Sequence, residues 1–259
     1  MVRRIAVQAG DITLQYFDES GMDRSRYEIK SDGSPLTLAD TEAEHFIVQE
    51  LSRLLPDVPV IGEESMARGE AVSISGYDYF WLVDPLDGTI QFKNGDPEYT
   101  VNIALVHQGV PVLGVVYAPA LGELYAGCGT GTALRWLQKT DKERSIKTRK
   151  PPHAGLTVVS SKSHGDEARL DQFLSSHKVA RRMTVGSSLK ICWVAAGKAD
   201  LYPRFGQTSE WDTAAADAVL RAAGGVVEDM DGRPLVYGSD GRAFRNPEFI
   251  ARARDLALA

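Results

Sequence analysis

Five short β-forming runs between Val58 and Ala126 constrain the fold of this chain more than any other feature of its sequence. Each run is rich in valine, isoleucine, leucine or aromatic residues, and glycine, proline or asparagine turns such as Gln108-Gly109 separate neighbouring runs. This block is therefore predicted to form a largely antiparallel sheet. The runs are Val58–Ile61, Tyr79–Val83, Tyr99–Val106, Val110–Tyr117 and Glu123–Ala126.

Two helices are predicted before this block. Apolar side chains recur at steps of three and four between Val2 and Tyr16, which is the spacing of one helix face. A second helical pattern runs from about Asp40 to Leu55, and Pro56 ends it.

A charge-rich, apolar-poor segment, Lys139–Lys150, ends in Pro151-Pro152 and is predicted to separate two domains. A patch for polyanions is the alternative interpretation, and a solvated linker or edge is favoured over it. Residues 1–150 would form an N-terminal α+β domain with the metal-binding motifs, and residues 151–259 a C-terminal α/β domain that completes the active site. In the second half, strands are predicted at Leu156–Val159, Met183–Val185, Ala199–Tyr202 and Val226–Glu228, and helices at Asp166–Ser175, Ser188–Ala196 and Asp212–Ala223. This alternation predicts helices that cover a sheet.

Composition excludes several classes of protein. The chain has 259 residues, of which 43% are hydrophobic and 25% charged, so it can bury a sizeable core. Its longest apolar runs fall far short of the ~20 residues of a membrane span, and residues 1–10 do not resemble a signal peptide. A formal charge of −6 argues against nucleic-acid polymers as partners. Cys128 and Cys192 fit no metal or redox spacing and are predicted to be buried free thiols. We expect a soluble cytoplasmic protein.

Three acidic clusters lie where strands end or helices begin. Glu63 and Glu64 follow the first β run, Asp84 and Asp87 follow the second, and Asp212 opens a helix. Carboxylates at strand ends can converge on one rim of a sheet. If they converge they repel one another unless a cation joins them, and Mg²⁺ prefers such oxygen ligands. The sequence therefore predicts a magnesium site.

The segment Asp84-Pro-Leu-Asp87-Gly-Thr89 is the most informative of these clusters. Proline would hold the turn so that both aspartates and the Leu86 carbonyl face one centre. Gly88 would allow close approach of the backbone, and the N–H groups of Gly88 and Thr89 could hold an anion. An aspartate-rich turn that caps a helix is the alternative for this motif alone, and the other two clusters argue against it.

Three motifs together resemble a known family. I-G-E-E-S at 61–65, W-L-V-D-P-L-D-G-T at 81–89 and W-D-T-A-A-A at 211–216 are similar to those of the Mg²⁺-dependent, Li⁺-sensitive phosphatases typified by inositol monophosphatase. Their order matches over essentially the whole chain. The resemblance implies a layered αβαβα sandwich, of α+β or α/β class, as in inositol monophosphatase and fructose-1,6-bisphosphatase.

Within this family, the bacterial 3′(2′),5′-bisphosphate nucleotidases of the CysQ type are the most similar. The supporting segments are T-V-N-I-A-L-V at 100–106, G-V-V-Y-A-P at 114–119, V-G-S-S-L-K at 185–190 and D-L-Y-P-R-F-G at 200–206. The resemblance implies hydrolysis of adenosine 3′,5′-bisphosphate to AMP and phosphate, in sulfur metabolism. An inositol or sugar phosphate is the alternative substrate, because Gly-Glu-Glu-Ser at 62–65 and Ile-Gln-Phe at 90–92 depart from the nucleotidase pattern.

The resemblance also implies roles for individual residues. Two or three Mg²⁺ ions would be held by Glu63, Asp84, the Leu86 carbonyl, Asp87 and Asp212. Thr89 and Asp40 would orient and deprotonate the attacking water together with Glu63, and Lys30 would lie near the metals. The residues expected to contact substrate are Glu63, Leu86, Asp87, Gly88, Thr89, Ser187, Lys190, Arg204 and Asp212, with His164 as a weaker candidate. The expected partner is a small phosphate ester, bound by a monomer or a homodimer.

Overall fold

Two β-sheets and three helical layers make up the fold in a computed structural model that describes residues 1–22, 27–29, 35–70, 73–162 and 166–256. The first layer contains α1 (Val2–Leu14) and α2 (Leu38–Leu54). Both match the predicted helices, with α2 beginning two residues earlier than expected. A small hairpin of β1 (Tyr27–Ile29) and β2 (Pro35–Thr37) precedes α2.

The first sheet has seven strands in sequence order. Its strands are β3 (Val60–Gly62), β4 (Tyr79–Asp87), β5 (Thr100–His107), β6 (Val110–Ala118), β7 (Glu123–Gly127), β8 (Leu134–Leu137) and β9 (Lys142–Ser145). Strands β3 and β4 are parallel and every later pair is antiparallel, which confirms the predicted sheet type. The short helices α3 (Glu63–Ala67) and α4 (Thr89–Lys93) follow β3 and β4.

The central strands of this sheet are buried on both faces, and side chains that alternate along a strand enter two different cores. Trp81 and Val83 of β4 pack against α1 and α2 on one face. Phe80 and Leu82 of the same strand belong to a second core on the opposite face. The sheet is therefore an inner layer.

The second sheet has five strands in the order β11-β10-β12-β14-β13. They are β10 (Leu156–Ser160), β11 (Val179–Thr184), β12 (Leu201–Arg204), β13 (Gly225–Asp229) and β14 (Phe249–Ala253). Helices α6 (Leu189–Ala195) and α7 (Glu210–Ala222) lie between the two sheets, and α5 (Glu167–Leu174) packs on the outer face of the second. The order of layers is helices, sheet, helices, sheet, helix, which confirms the predicted αβαβα sandwich.

The segment Lys139–Lys150 was predicted to be a solvated linker or edge, and it contains β9, an edge strand whose four side chains are all exposed and which is held by backbone pairing to β8. The edge interpretation is therefore confirmed, whereas other local predictions were wrong. Strands β8 and β14 were not predicted. Cys128 is exposed, and only Cys192 is buried. The predicted domain boundary at residue 150 falls between the two sheets. One buried core joins α6 and α7 to both sheets, so the division into two domains stays a prediction.

None of the helices in the described ranges is both long enough and apolar enough to cross a membrane.

Candidate active site

A cleft of about 270 Å³ opens at the ends of β4, β12, α6 and α7. Most of the residues predicted to bind metal or substrate line it: Glu63, Asp84, Leu86, Asp87, Gly88, Thr89, Ser187, Lys190, Arg204 and Asp212. These residues come from both halves of the sequence, so the fold rather than the chain order brings them together.

Glu63, Asp84 and Asp212 converge most closely. One carboxylate oxygen of each lies within 4.8 Å of those of the other two. Burial raises the pKa of Asp84 well above its ordinary value, and the charges of Glu63, Asp87 and Asp212 raise it further. The pKa of Asp212 is also raised well above its ordinary value, first by burial and then by the charges of Asp87 and Glu63. Three clustered carboxylates, of which Asp84 and Asp212 have raised pKa values, fit a hard divalent cation such as Mg²⁺.

Residues 84–87 of the motif belong to β4 rather than to a turn after it, and Thr89 begins α4. The pairing of β4 with β5 shifts register between Asp84 and Asp87, so the strand is irregular where both aspartates emerge. The Leu86 N–H donates to Asp84 Oδ1 at 3.0 Å, and the Leu86 carbonyl accepts from the Thr89 hydroxyl at 3.3 Å. Gly88 has a φ of 94°, a left-handed conformation that favours glycine, and it leads directly into α4.

Asp87 is outside the group of three converging carboxylates, although it lines the same cleft. Its Oδ2 accepts hydrogen bonds from the Ser188 N–H at 2.6 Å and from Asn102 Nδ2 at 3.5 Å. The Ser188 hydroxyl accepts from Asn102 at 3.0 Å and donates to the Asp212 carbonyl. Asn102 and Ser188 therefore join the motif at 84–89 to α7.

The sequence interpretation missed this function of Asn102, which is fully buried on β5. Its signal was a lone amide within the otherwise apolar run from Val101 to Val106.

Asp212 is the third residue of α7. Its Oδ2 accepts from the Ser209 N–H at 2.8 Å, and the Ser209 side chain completes a capping box. The same arrangement occurs at α2, where the N–H and hydroxyl of Thr37 donate to Asp40 Oδ2 at 2.8 and 2.6 Å. Asp40 is buried and is not among the residues that line the cleft. Its partnership with Thr89 stays a prediction.

Two buried cations face the cleft from the second half of the chain. Lys190 is 7% exposed and Arg204 is 8% exposed, so neither is the exposed surface residue that basic side chains usually are. Lys190 Nζ donates to the Ser187 carbonyl at 2.5 Å and lies 5.6 Å from the centroid of the Tyr202 ring. Arg204 donates to the carbonyls of Gly206 and Gln207 at 3.2 and 3.1 Å.

Burial lowers the pKa of Lys190 to about 8, and the nearby charge of Arg204 contributes in the same direction. Asp87 and Asp212 oppose this shift. Ser187, next to these cations, has a φ of 48° and a buried hydroxyl that has no hydrogen-bond partner among the described residues. This end of the cleft can hold an anionic group.

Two further predicted residues, Lys30 and His164, lie outside the described residues.

Comparisons with known proteins identify the family of the chain. Residues 2–257 match the model of the inositol monophosphatase family. The chain is 43% identical to the 3′(2′),5′-bisphosphate nucleotidases CysQ of Salmonella typhimurium and Escherichia coli, over 96% of this chain and 96% of each relative.

Solved structures give the same relationship. The crystal structure of CysQ from Bacteroides thetaiotaomicron, a bacterial member of the inositol monophosphatase family, has a TM-score of 0.80 and 37% identity, covering 97% of this chain and 95% of that one. An inositol monophosphatase from Anabaena has a TM-score of 0.71 and 26% identity, covering 96% and 88%. The chain belongs to the inositol monophosphatase family, whose members are Mg²⁺-dependent phosphatases.

Proposed function

We propose that this chain is a Mg²⁺-dependent 3′(2′),5′-bisphosphate nucleotidase that hydrolyses adenosine 3′,5′-bisphosphate to AMP and phosphate. The observation that carries the proposal is the pair of buried cations, Lys190 and Arg204, in the same cleft as the three converging carboxylates. A substrate with two phosphates matches both ends of such a cleft. The 43% identity to the CysQ nucleotidases supports this choice of substrate.

At the acidic end, we assign Glu63, Asp84, the Leu86 carbonyl, Asp87 and Asp212 to bind two or three Mg²⁺ ions. When bound, the ions would supply positive charge at the scissile phosphate and would make a nearby water easier to deprotonate. Hydrolysis adds the oxygen of a water to phosphorus and breaks the ester P–O bond, the water loses a proton, and the leaving oxygen gains one.

The protein's own residues position the reacting groups. We assign Glu63, Thr89 and Asp40 to orient the attacking water and take up its proton. The N–H groups of Gly88 and Thr89, at the left-handed turn before α4, are suited to hold a phosphate oxygen. The fixed position of the cleft carboxylates limits the rearrangement required during the reaction.

At the other end, Lys190, Arg204 and the Ser187 hydroxyl recognise the second phosphate or the nucleoside. A charge-assisted hydrogen bond contributes roughly 1.5–3 kcal/mol, or about 10- to 150-fold in affinity. These groups would therefore favour a bisphosphate over a single phosphomonoester.

Phosphate release tests the proposal. We would assay adenosine 3′,5′-bisphosphate, inositol 1-phosphate and fructose 1,6-bisphosphate, each with Mg²⁺ and with a chelator. We expect Mg²⁺-dependent release with the highest kcat/KM for the adenosine bisphosphate. Arg204→Ala and Lys190→Ala should each lower that value about 10-fold or more and barely change it for inositol 1-phosphate. Equal kcat/KM for adenosine 3′,5′-bisphosphate and inositol 1-phosphate in the unmutated protein would contradict a nucleotidase and favour an inositol phosphatase.

A cytoplasmic location and a monomeric or dimeric state stay predictions.

A further inference from the structure

Glu44 of α2 is a buried acidic residue outside the cleft lining, and it bonds directly to the segment that carries Glu63. Its Oε2 accepts from the Glu64 N–H at 2.7 Å. Its Oε1 accepts from the N–H of Ser65 at 2.7 Å and from the Ser65 hydroxyl at 2.6 Å. One carboxylate thus satisfies two of the N–H groups that open α3.

The chain on the other side of Glu63 is also shaped around this carboxylate. A Cβ atom added at Gly62 would lie 2.4 Å from Glu44 Oε2 and 2.5 Å from its carboxyl carbon. Only glycine allows β3 to pass so close to the Glu44 side chain. The backbone at Glu63 is therefore fixed from both sides. Gly62 packs against the Glu44 carboxylate, and the N–H groups of Glu64 and Ser65 donate to the same carboxylate.

The same helix carries Asp40, one turn before Glu44. Residues four apart lie on the same face of a helix. Glu44 therefore links the position of Glu63 to the helix that holds Asp40, the proposed proton acceptor. A shift of the 63–65 segment would change the distance between the Glu63 and Asp40 carboxylates.

We propose that Glu44 is a positioning residue that sets the Glu63 carboxylate for metal binding by anchoring the first turn of α3 to α2. This inference rests on the proposed metal-dependent function of the same cleft. Groups that orient metal ligands from behind typically change metal affinity about 10- to 100-fold when they are replaced.

Glu44→Gln is the sharpest variant, because it preserves shape and changes hydrogen bonding. The amide nitrogen of glutamine is a donor and would face a backbone N–H that needs an acceptor. Asp200→Asn is a matched control. Asp200 is also a buried carboxylate that accepts from a backbone N–H, that of Thr157 at 2.7 Å, and from Arg149, and it is not part of the cleft lining.

The experiment measures Mn²⁺ binding to the substrate-free protein by electron paramagnetic resonance of the free ion, with Mg²⁺ as competitor. Thermal unfolding of each variant is measured in parallel. We expect Glu44→Gln to weaken Mn²⁺ binding about 10-fold or more, while Asp200→Asn loses stability and binds Mn²⁺ like the unmutated protein. With saturating Mg²⁺, the KM of Glu44→Gln for substrate should stay close to that of the unmutated protein.

Unchanged Mn²⁺ affinity in folded Glu44→Gln would overturn the inference and leave Glu44 a stabilising residue only. If Glu44→Gln does not fold, Ser65→Ala decides, because it removes one of the three hydrogen bonds. Ser65→Ala should weaken Mn²⁺ binding by about 2- to 10-fold. If this variant binds Mn²⁺ as tightly as the unmutated protein does, the inference is overturned. Weakened Mn²⁺ binding in Glu44→Gln would support it even if adenosine 3′,5′-bisphosphate proves not to be a substrate.

Discussion

Asp84, Asp87 and Asp212 are each oriented by a backbone N–H that donates to one carboxylate oxygen. The donors are Leu86, Ser188 and Ser209, at 3.0, 2.6 and 2.8 Å. A neutral N–H donor orients the carboxylate without neutralising its charge, whereas a lysine or arginine partner would neutralise it. These three hydrogen bonds therefore orient carboxylate oxygens that a cation can bind.

The first prediction concerns pH and metal together. The raised pKa values of Asp84 and Asp212 mean that the metal-free fold favours their protonated forms. A raised pKa contributes stability at low pH, and this contribution is lost as the pH rises through the folded-state pKa. Mg²⁺ competes with those protons, so we expect Mg²⁺ to raise the melting temperature more at pH 8 than at pH 5.5.

Differential scanning fluorimetry with Mg²⁺ or EDTA at several pH values measures this effect. Asp84→Asn is the matched variant, since it removes one repelling charge. It should be more stable than the unmutated protein in EDTA at pH 8 and should lose most of the gain from Mg²⁺. A gain that does not vary with pH would contradict the prediction.

The second prediction concerns Lys190. Because its pKa is lowered to about 8, the side chain is charged below that pH and neutral above it. We expect the KM for adenosine 3′,5′-bisphosphate to rise as the pH passes through about 8, since the attraction to the second phosphate is lost. Lys190→Arg keeps its charge at these pH values, so its KM should stay flat. Parallel profiles for the two proteins would exclude Lys190 as the titrating group.

At the scale of elements, α7 determines where Asp212 lies relative to the first sheet. The helix is rich in alanine and packs directly on glycines of β6 and β7. A Cβ atom at Gly114 would lie 2.1 Å from the Ala215 carbonyl oxygen and 2.8 Å from the Ala218 Cβ atom. The close approach of helix and strand thus depends on the missing side chain.

The third prediction is that Gly114→Ala moves α7 and affects both stability and the site. Overpacking of this kind costs about 1–3 kcal/mol, and the displaced helix carries Asp212. We expect a lower urea midpoint and weaker Mn²⁺ binding. Gly241→Ala is the control, because no atom of the described residues other than its own chain neighbours lies within 4 Å of the added Cβ atom, and its φ is not in the left-handed region. Equal midpoints for Gly114→Ala and the unmutated protein would contradict the prediction.

The strands show which elements could be predicted from the sequence alone. Strands β4 to β7 were predictable because they lie within buried layers and carry long apolar runs. Strand β9 was not, because Lys-Glu-Arg-Ser has no apolar pattern and its pairing with β8 alone makes it a strand.

The residues of the site likewise include some that the sequence could reveal and some that required the fold. Glu63, Asp84, Asp87 and Asp212 could be found from local motifs that need no partner. The function of Asn102 and Glu44 depends on residues far away in sequence, Ser188 and Glu64–Ser65, so only the fold could reveal it.

At the scale of the whole molecule, α6 and α7 form a layer that both sheets share. Leu82 and Val116 of the first sheet belong to one continuous core with Val219 of α7 and with Val227 and Phe249 of the second sheet. Neither half can bury its inner face without this layer. The predicted boundary at residue 150 would then separate two sheets that do not unfold independently.

The last prediction tests that consequence through the tryptophans, since Trp81 lies in the first sheet and Trp193 in α6. Two reporter proteins, each keeping one of these tryptophans with the other three replaced by phenylalanine, should unfold in urea at one midpoint that coincides with far-UV circular dichroism. Leu220→Ala in α7, at a fully buried site, should destabilise by about 2–5 kcal/mol and shift both reporters equally. If Trp193 responds to Leu220→Ala while Trp81 does not, the two halves unfold as separate domains and the shared layer does not couple them.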